Sequence, residues 1–117
     1  MPSYRRFVRA KIQRLRVTGK SLRYEGSLEL DAALSRAAGI LPHELVQVVN
    51  VNNGQRFETY VIDAPDGSGA CVLNGAAARL GEVDDELIVM SVVLVDDSTA
   101  PPDFVRVRVD GRNRVVE

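Results

Sequence analysis

The chain has 117 residues, of which 45% are hydrophobic, so it is long enough to bury the core of one small domain spanning residues 1–117. Its net charge of −1 argues against a general nucleic-acid binder, and its single Cys and single His argue against a disulfide, a zinc site or a Cys/His nucleophile pair. The N-terminus has no apolar stretch of signal-peptide length, and no segment is apolar over the length of a membrane span. We therefore expect a cytoplasmic protein with no nucleic-acid or membrane partner.

The N-terminal segment is basic, because residues 1–24 contain 8 of the 15 Lys and Arg residues and no Asp or Glu. Residues 7–18 are predicted to form a strand. A solvated strand face is the first interpretation of this charge, a surface that binds anions such as carboxylates is the second, and a nucleic-acid surface is the third. Lys11 lies in this strand, where a lysine is usually solvated.

The segment Tyr24-Glu25-Gly26-Ser27 contains a Gly-Ser bond, and such a bond can cleave itself in a constrained turn. The Ser27 hydroxyl attacks the preceding carbonyl, and the amide becomes an ester. Elimination across Ser27 frees the upstream piece and leaves a dehydroalanine, which loses ammonia on hydrolysis to become a pyruvoyl group. Most Gly-Ser pairs are ordinary turns, so the dipeptide alone does not favour this chemistry.

A short helix follows the next extended piece, residues 28–30. Asp31 is predicted to be its N-cap, and Gly39 occupies the C′ position after residues 32–38. The apolar face of this helix is predicted to consist of Leu34, Ala37 and Ala38.

Residues 45–51 and 55–62 are predicted to pair as a β-hairpin, because the intervening Asn52-Asn53-Gly54 accepts positive φ angles. His43 precedes the hairpin in a loop, and we interpret it as a surface residue without a partner.

The second hairpin strand carries residues that could act on an anionic substrate. Arg56, Glu58 and Tyr60 share one face, and Phe57 and Thr59 share the other. An arginine can bind a carboxylate in bidentate fashion, and a tyrosine can donate a proton to a carbanion. From the pattern alone, an exposed Arg and a half-buried Tyr without a functional role is the favoured interpretation.

A loop at residues 63–69 leads to a short buried strand at residues 70–73, which contains Cys71 as a structural thiol. Residues 74–81 then read as a tight turn that enters one or two helical turns. Free backbone N–H groups beside small side chains can bind an anion there, although a plain helix cap is the commoner explanation.

Residues 87–95 are the most hydrophobic segment and are predicted to form a central strand. After a polar loop at residues 96–103, alternating valines predict a last strand that ends at Asp110-Gly111. Many short strands and two short helices together predict a mainly β fold, a closed or nearly closed small β-barrel.

Several blocks of this sequence, in their order and spacing, resemble the aspartate 1-decarboxylase family, whose members depend on a pyruvoyl group. The resemblance covers about residues 7–95, with a weaker match at Asn113-Arg114. The matching blocks are Lys11-Ile12 with Arg14, Val17-Thr18, Leu22, Tyr24 with Gly26-Ser27, Ala37-Ala38-Gly39-Ile40, Glu44, Asn53-Gly54, Arg56-Phe57, Thr59-Tyr60, Gly67-Ser68-Gly69 and Asn74-Gly75-Ala76-Ala77-Ala78.

The resemblance implies a double-psi β-barrel that assembles as a homotetramer with active sites between neighbouring subunits. It implies a zymogen that cleaves itself between Gly26 and Ser27 into a β chain, residues 1–26, and an α chain, residues 27–117. The implied cofactor is a covalent pyruvoyl group made from Ser27, with no metal and no pyridoxal phosphate. The implied activity is a lyase reaction, the decarboxylation of L-aspartate to β-alanine and CO2, which supplies pantothenate and coenzyme A biosynthesis.

The resemblance also assigns roles to residues. Ser27 is the catalytic precursor of the group that forms a Schiff base with the substrate, and Tyr60 is the proton donor. The other expected site residues are the substrate contacts Thr59, Gly75, Ala76 and Ala77, the carboxylate-binding residues Lys11 and Arg56, and the supporting residues Asn74 and Tyr24.

Three positions depart from the family pattern. Gln13 stands where a histidine usually follows Lys-Ile, and a glutamine cannot carry a proton. Val49 replaces an aromatic residue of some members, which predicts a looser pocket wall. Asp84 stands where glycine usually precedes Asp85, which predicts a different shape for that turn.

Three alternatives stay open at the level of sequence. The first is a non-catalytic β-barrel module that binds RNA or another anion, for which salt-sensitive binding by the uncleaved chain would be diagnostic. The second is a pyruvoyl decarboxylase for another acidic amino acid, which competition between glutamate and aspartate would distinguish. The third is a family member that cleaves only with a maturation helper protein. Cleavage after cell extract is added, but not of the purified chain, would reveal this need.

Overall fold

The computed structural model describes residues 1–116, which contain eight strands and two short helices. The strands are β1 (Tyr4–Arg16), β2 (Gly19–Ser21), β3 (Ser27–Asp31), β4 (Leu45–Asn50), β5 (Arg56–Ala64), β6 (Cys71–Asn74), β7 (Glu86–Asp96) and β8 (Val105–Arg108). The helices are the α-helix α1 (Ala32–Ala38) and the 3₁₀ helix Gly75–Leu80. The prediction of a mainly β fold with two short helices is confirmed.

All eight strands form one mixed sheet in the order β2-β6-β3-β5-β4-β7-β1-β8. The longest pairing is antiparallel, between β1 and β7, and runs from Tyr4 opposite Asp96 to Arg16 opposite Glu86. Three pairs are parallel, namely β1 with β8, β2 with β6 and β3 with β5. This mixed sheet is compatible with the expected small β-barrel, and the interior place of β7 confirms the predicted central strand.

Strand β1 departs from simple alternation near its end. Its register against β7 shifts between Ile12 and Leu15, and Arg14 has a φ angle of 66°. This β-bulge allows Ile12 and Leu15 to be fully buried together although they lie three positions apart. The other large side chains that are almost completely buried are Leu28, Leu30, Leu34, Leu73, Leu87, Val17, Val46, Val48, Val61 and Val89.

Helix α1 has the caps that its sequence predicts. The Asp31 carboxylate accepts a hydrogen bond from the backbone N–H of Ala33 at 2.9 Å, and Gly39 ends the helix with a φ angle of 71°. The predicted apolar face is wrong at Ala37, which is exposed. The buried face instead runs through Leu34 and Ala38 and is completed by Ala32 and Ser35, because residues one helical turn apart share a face.

The predicted hairpin is confirmed between β4 and β5. The N–H of Gly54, which has a φ angle of 77°, donates to the Asn50 carbonyl at 2.8 Å. The side-chain oxygen of Asn50 accepts from the N–H groups of Asn52 at 2.9 Å and Asn53 at 3.3 Å, so the turn is closed by its own polar groups.

Asn113, at the position of the weaker sequence resemblance near the C-terminus, anchors the C-terminal segment to the sheet. The residue is buried with a φ angle of 58°, and its amide nitrogen donates to the carbonyls of Arg16 at 2.9 Å and Gly69 at 2.8 Å. Its amide oxygen accepts from the N–H of Arg16 at 2.9 Å. Three hydrogen bonds therefore hold this segment against β1 and the loop before β6.

Cys71 is the buried structural thiol that the sequence predicts, and burial raises its pKa to about 12. Within residues 1–116, no cluster of His, Cys, Asp and Glu has the arrangement of a metal site. No helix in that same range is both long enough and apolar enough to span a membrane.

Candidate active site

Ser27 begins β3 and is completely buried, although Gly26 immediately before it is exposed. The Ser27 hydroxyl donates to the Glu25 carbonyl at 3.3 Å and accepts from the amide nitrogen of Asn74 at 3.2 Å. Strand pairing causes this contact, since Ser27 lies opposite Asn74 in the antiparallel pair of β3 and β6. The hydroxyl at the Gly26-Ser27 bond is therefore held by two hydrogen bonds and shielded from solvent.

Asn74 belongs to this site through its side chain. The residue is 2% exposed, and its amide nitrogen also lies 3.4 Å from a carboxylate oxygen of Glu29. Asn74 precedes the 3₁₀ helix, but its side chain makes no capping hydrogen bond to that helix. A plain side-chain cap, the commoner explanation at the level of sequence, therefore does not account for Asn74.

Gly75 lies directly against the Gly26 backbone. It has a φ angle of 66°, and a Cβ atom added to it would lie 2.6 Å from the Gly26 Cα and 2.8 Å from the Gly26 nitrogen. The same Cβ would lie 3.0 Å from the Tyr24 carbonyl oxygen. Only glycine fits this position, because any side chain would displace the backbone around the Gly26-Ser27 bond.

A cavity of about 350 Å³ opens beside Gly26. It brings together five of the residues that the sequence singled out as site residues, and its lining is mainly apolar. Its walls consist of Gly26, Leu45, Phe57, Glu58, Thr59, Tyr60, Ala76, Ala77 and Leu80. The cavity combines the exposed Gly26, two small alanines and a tyrosine, which suits a small ligand that must approach the backbone closely.

Lys11 and Arg56 do not line this cavity. Lys11 is half-buried in β1, between Met90 of β7 and Arg106 of β8, and Arg56 is exposed at the start of β5. Val49, which lies opposite Arg56 in the hairpin, also lies outside the cavity lining. Within residues 1–116 of one chain, the two expected carboxylate-binding side chains are thus separate from the cavity beside Gly26.

Two residues near the site were not singled out by sequence reasoning. Glu29 lies two positions after Ser27 on β3, so the period of a strand places both on one face, and this signal could have identified it. His43 is exposed, as predicted, but the prediction that it has no partner is wrong. Its ring meets the Tyr60 ring edge-on, with centroids 6.1 Å apart and an interplanar angle of 68°.

In the turn before β7, Asp84 adopts a backbone conformation that is typical of glycine. Asp84 has a φ angle of 76°, which L-residues seldom adopt, and its N–H donates to the Val17 carbonyl at 2.8 Å. Asp85 completes the turn, since its carboxylate accepts from the Asn50 amide and from the Glu82 N–H, each at 2.9 Å.

Comparison with known proteins identifies the family of the chain. The profile of the aspartate decarboxylase family matches residues 3–116, which extends beyond the motifs at residues 7–95. The chain is 51% identical over 105 residues to a protein of Kosmotoga olearia named aspartate 1-decarboxylase, covering 89% of this chain and 91% of that protein.

Two further relatives of the same name cover still more of the chain. The Pelotomaculum thermopropionicum protein is 51% identical over 113 residues, which cover 94% of this chain and 84% of that protein. The Anoxybacillus flavithermus protein is 46% identical over 115 residues, which cover 97% of this chain and 91% of that protein. The chain belongs to the aspartate decarboxylase family.

Proposed function

We propose that this chain is a zymogen that cleaves its own Gly26-Ser27 bond and then decarboxylates L-aspartate to β-alanine and CO2. The observation that carries the proposal is the buried Ser27 hydroxyl, bonded to Asn74 and lying next to a cavity that Gly26 lines. The family of the chain and the shared name of its relatives support aspartate as the substrate. The β-alanine would supply pantothenate and coenzyme A biosynthesis.

Cleavage would use groups that the chain already holds in place. The Ser27 oxygen attacks the Gly26 carbonyl carbon, the C–N bond breaks, and an ester links Gly26 to a serine whose amino group is free. Elimination then breaks the bond between the Ser27 Cβ and its oxygen, which releases residues 1–26 with a carboxylate at Gly26. Hydrolysis of the remaining dehydroalanine expels ammonia and leaves a pyruvoyl group at residue 27.

The surroundings of Ser27 fit the precursor of such a group. The Asn74 amide fixes the hydroxyl, and the glycine at position 75 keeps the Gly26 backbone free of a side-chain clash. A pyruvoyl group at this position would supply a carbonyl that condenses with the substrate amine and takes up the electron pair that stays on the α-carbon when CO2 leaves.

The cavity residues would bind and orient the substrate. Thr59 and the backbone around Gly75, Ala76 and Ala77 contact it, and the two alanines let it approach the main chain. Tyr60 holds a proton at its hydroxyl and delivers it to the carbon that loses CO2. The lining is mainly apolar, and a polar contact is stronger in apolar surroundings than in water.

Recognition of the two substrate carboxylates would need Lys11 and Arg56, which carry the required charge. Because neither lines the cavity of its own chain, we propose that they reach the cavity of a neighbouring subunit in a homotetramer. Each active site would then be assembled from two chains.

Denaturing mass spectrometry of the purified protein tests the proposal. The expected result is two fragments, residues 1–26 and residues 27–117, the second with a pyruvoyl terminus. The Ser27→Ala variant should stay intact and form no β-alanine. An intact wild-type chain after long incubation, alone and with cell extract, would contradict the proposal, whereas cleavage only in extract would identify the need for a helper protein.

A further inference from the structure

The rings of His43 and Tyr60 form an aromatic pair at the cavity. Their centroids lie 6.1 Å apart and their planes are inclined at 68°, the edge-to-face arrangement in which the positive edge of one ring meets the negative face of another. Tyr60 lines the cavity beside Gly26, whereas His43 does not. His43 therefore contacts the tyrosine from outside the space that a ligand would fill.

The backbone holds His43 at a fixed register beside Tyr60. The His43 N–H donates to the Val61 carbonyl at 2.7 Å, and the Val61 N–H donates to the Glu44 carbonyl at 3.1 Å. The turn that carries His43 is therefore paired with β5 at the residue that follows Tyr60.

The Glu44 side chain anchors the same turn. Its carboxylate accepts from the Leu41 N–H at 3.1 Å and from the Ser91 hydroxyl at 2.5 Å. The Arg9 guanidinium lies 3.8 Å from this carboxylate and donates to the Gly39 carbonyl at 2.7 Å. The turn is thus tied to β1, β7 and the end of α1, so His43 does not lie on a freely moving loop.

His43 has a left-handed backbone conformation. Its φ angle is 71°, in the region that glycine adopts freely and that asparagine, aspartate and histidine adopt more often than other residues do. Asparagine would therefore also fit this backbone, but it could not contact the Tyr60 ring. The backbone of the turn accepts histidine without requiring its ring, so replacement by asparagine removes the ring and leaves the turn.

We infer that His43 is a positioning residue that restricts the Tyr60 side chain to the rotamer in which it lines the cavity beside Gly26. This inference rests on the proposed role of Tyr60 as the proton donor. A tyrosine that rotates away from the substrate cannot protonate it, so fixing the ring raises the fraction of molecules ready to react.

Replacement by asparagine separates this role from the stability of the turn. His43→Asn should keep or raise the Tm and should cleave completely at Gly26-Ser27. Its kcat should fall roughly three- to tenfold, the range that loss of one edge-to-face aromatic contact allows, while KM for aspartate changes less than about twofold. His43→Phe, which keeps a ring, should recover most of the lost kcat.

Asp84→Asn is the matched control, because Asp84 is also exposed and has a φ angle of 76°, but it lies in the turn before β7. It should leave kcat unchanged. A wild-type kcat for His43→Asn, in a preparation whose wild-type enzyme is active, would overturn the inference without affecting the proposed function.

A second measurement does not depend on activity. His43 is the only histidine in the chain, so its imidazole NMR signals need no assignment. In the uncleaved Ser27→Ala background, Tyr60→Leu should shift these signals by removing the ring current, and Tyr60→Phe should shift them much less. Equal shifts for both variants would show that the rings do not pair and would overturn the inference, whereas failure of wild-type β-alanine formation would count against the proposed function alone.

Discussion

Gly75 and Gly26 lie in backbone contact, so close that a single methyl group on Gly75 would come within 2.6 Å of the Gly26 Cα. Gly75 begins the 3₁₀ helix, and Gly26 precedes the buried Ser27. The pairing of β3 with β6 brings the two together. The helix start thus lies directly against the residue that precedes the bond that we propose to be cleaved.

Gly75→Ala should impair cleavage by more than its cost in stability explains. The added methyl group must move the Gly26 backbone, which misaligns the Ser27 hydroxyl with the carbonyl that it attacks. Gly67→Ala is the matched control, because Gly67 has a φ angle of 77° and open space around it. Both variants should lose about 1 kcal/mol from the strain of a positive φ angle, and Gly75→Ala should lose more because its methyl group overlaps the Gly26 backbone. Only Gly75→Ala should remain uncleaved in a time course followed by denaturing mass spectrometry.

Asn74→Ala should slow cleavage by about tenfold or more, because a lost hydrogen bond in a buried site costs roughly 1–3 kcal/mol. The missing bond is the one from the Asn74 amide to the Ser27 hydroxyl at 3.2 Å. Asn53→Ala loses a similar amide bond, to the Leu80 carbonyl at 3.1 Å, at an exposed turn and should cleave at the normal rate. Equal rates for the two variants would remove Asn74 from the cleavage step.

Tyr60→Phe should cleave normally but turn over slowly. Loss of a general acid lowers the rate roughly a hundredfold or more, while the phenylalanine ring preserves the packing around the cavity. Formation of β-alanine measures the effect, and Tyr4→Phe, at an exposed residue of β1, serves as the control. Unchanged turnover would exclude Tyr60 as the proton donor.

Shared active sites can be tested by coexpressing two inactive variants, Lys11→Ala and Tyr60→Phe. If each site combines Lys11 of one chain with Tyr60 of another, random mixing in equal amounts should leave about a quarter of the sites intact. Each variant alone should have little activity. No gain on coexpression would place both residues in the site of a single chain.

Asp85 should contribute to the acid sensitivity of the fold. The side-chain hydrogen bond from Asn50, followed by the backbone hydrogen bond from Glu82, lowers the pKa of Asp85 below its usual 3.8. A carboxylate whose pKa is lower in the folded state stabilises fully above about pH 4, and this stabilisation is lost as the pH falls through the folded-state pKa.

Asp85→Ala should therefore be less stable than the parent at neutral pH, and the difference should shrink as the pH falls below 3.8. Urea unfolding in the Ser27→Ala background measures this, because the protein then stays a single chain. The comparison of two proteins at each pH cancels the titration of the remaining carboxylates. A difference that does not vary with pH would contradict the assignment.

The sequence predicted the locally determined parts of the fold well. Asp31 and Gly39 cap their helix and Asn53-Gly54 turns the hairpin because the side-chain and backbone chemistry of these residues acts within a few positions. The motifs around Ser27, Tyr60 and Asn74 were singled out differently, through the resemblance of short blocks at fixed spacing to the aspartate 1-decarboxylase family. The order of the strands was not predictable in this way, since strand periodicity does not specify partners.

The contacts that give the site its geometry depend on those partners. The approach of Gly75 to Gly26 follows from the register of β3 against β6, and the His43 contact with Tyr60 follows from a turn that folds back onto β5. Neither contact produces a recognisable pattern in the sequence around these residues. Ala37 shows a related limit, because hydrophobicity alone does not tell which side of a short helix faces the core.

The position of β1 in the sheet bears on what the proposed cleavage would do to the chain. β1 would belong to the fragment of residues 1–26, yet it lies between β7 and β8 of the other fragment, and β2 likewise pairs with β6. The two fragments of each subunit would therefore stay paired and copurify. Once denatured, they could rebuild even one subunit only by a bimolecular encounter, whereas the precursor can refold each subunit from a single chain. Recovery of folded subunits after heating should therefore fall more steeply on dilution for the mature protein than for its precursor.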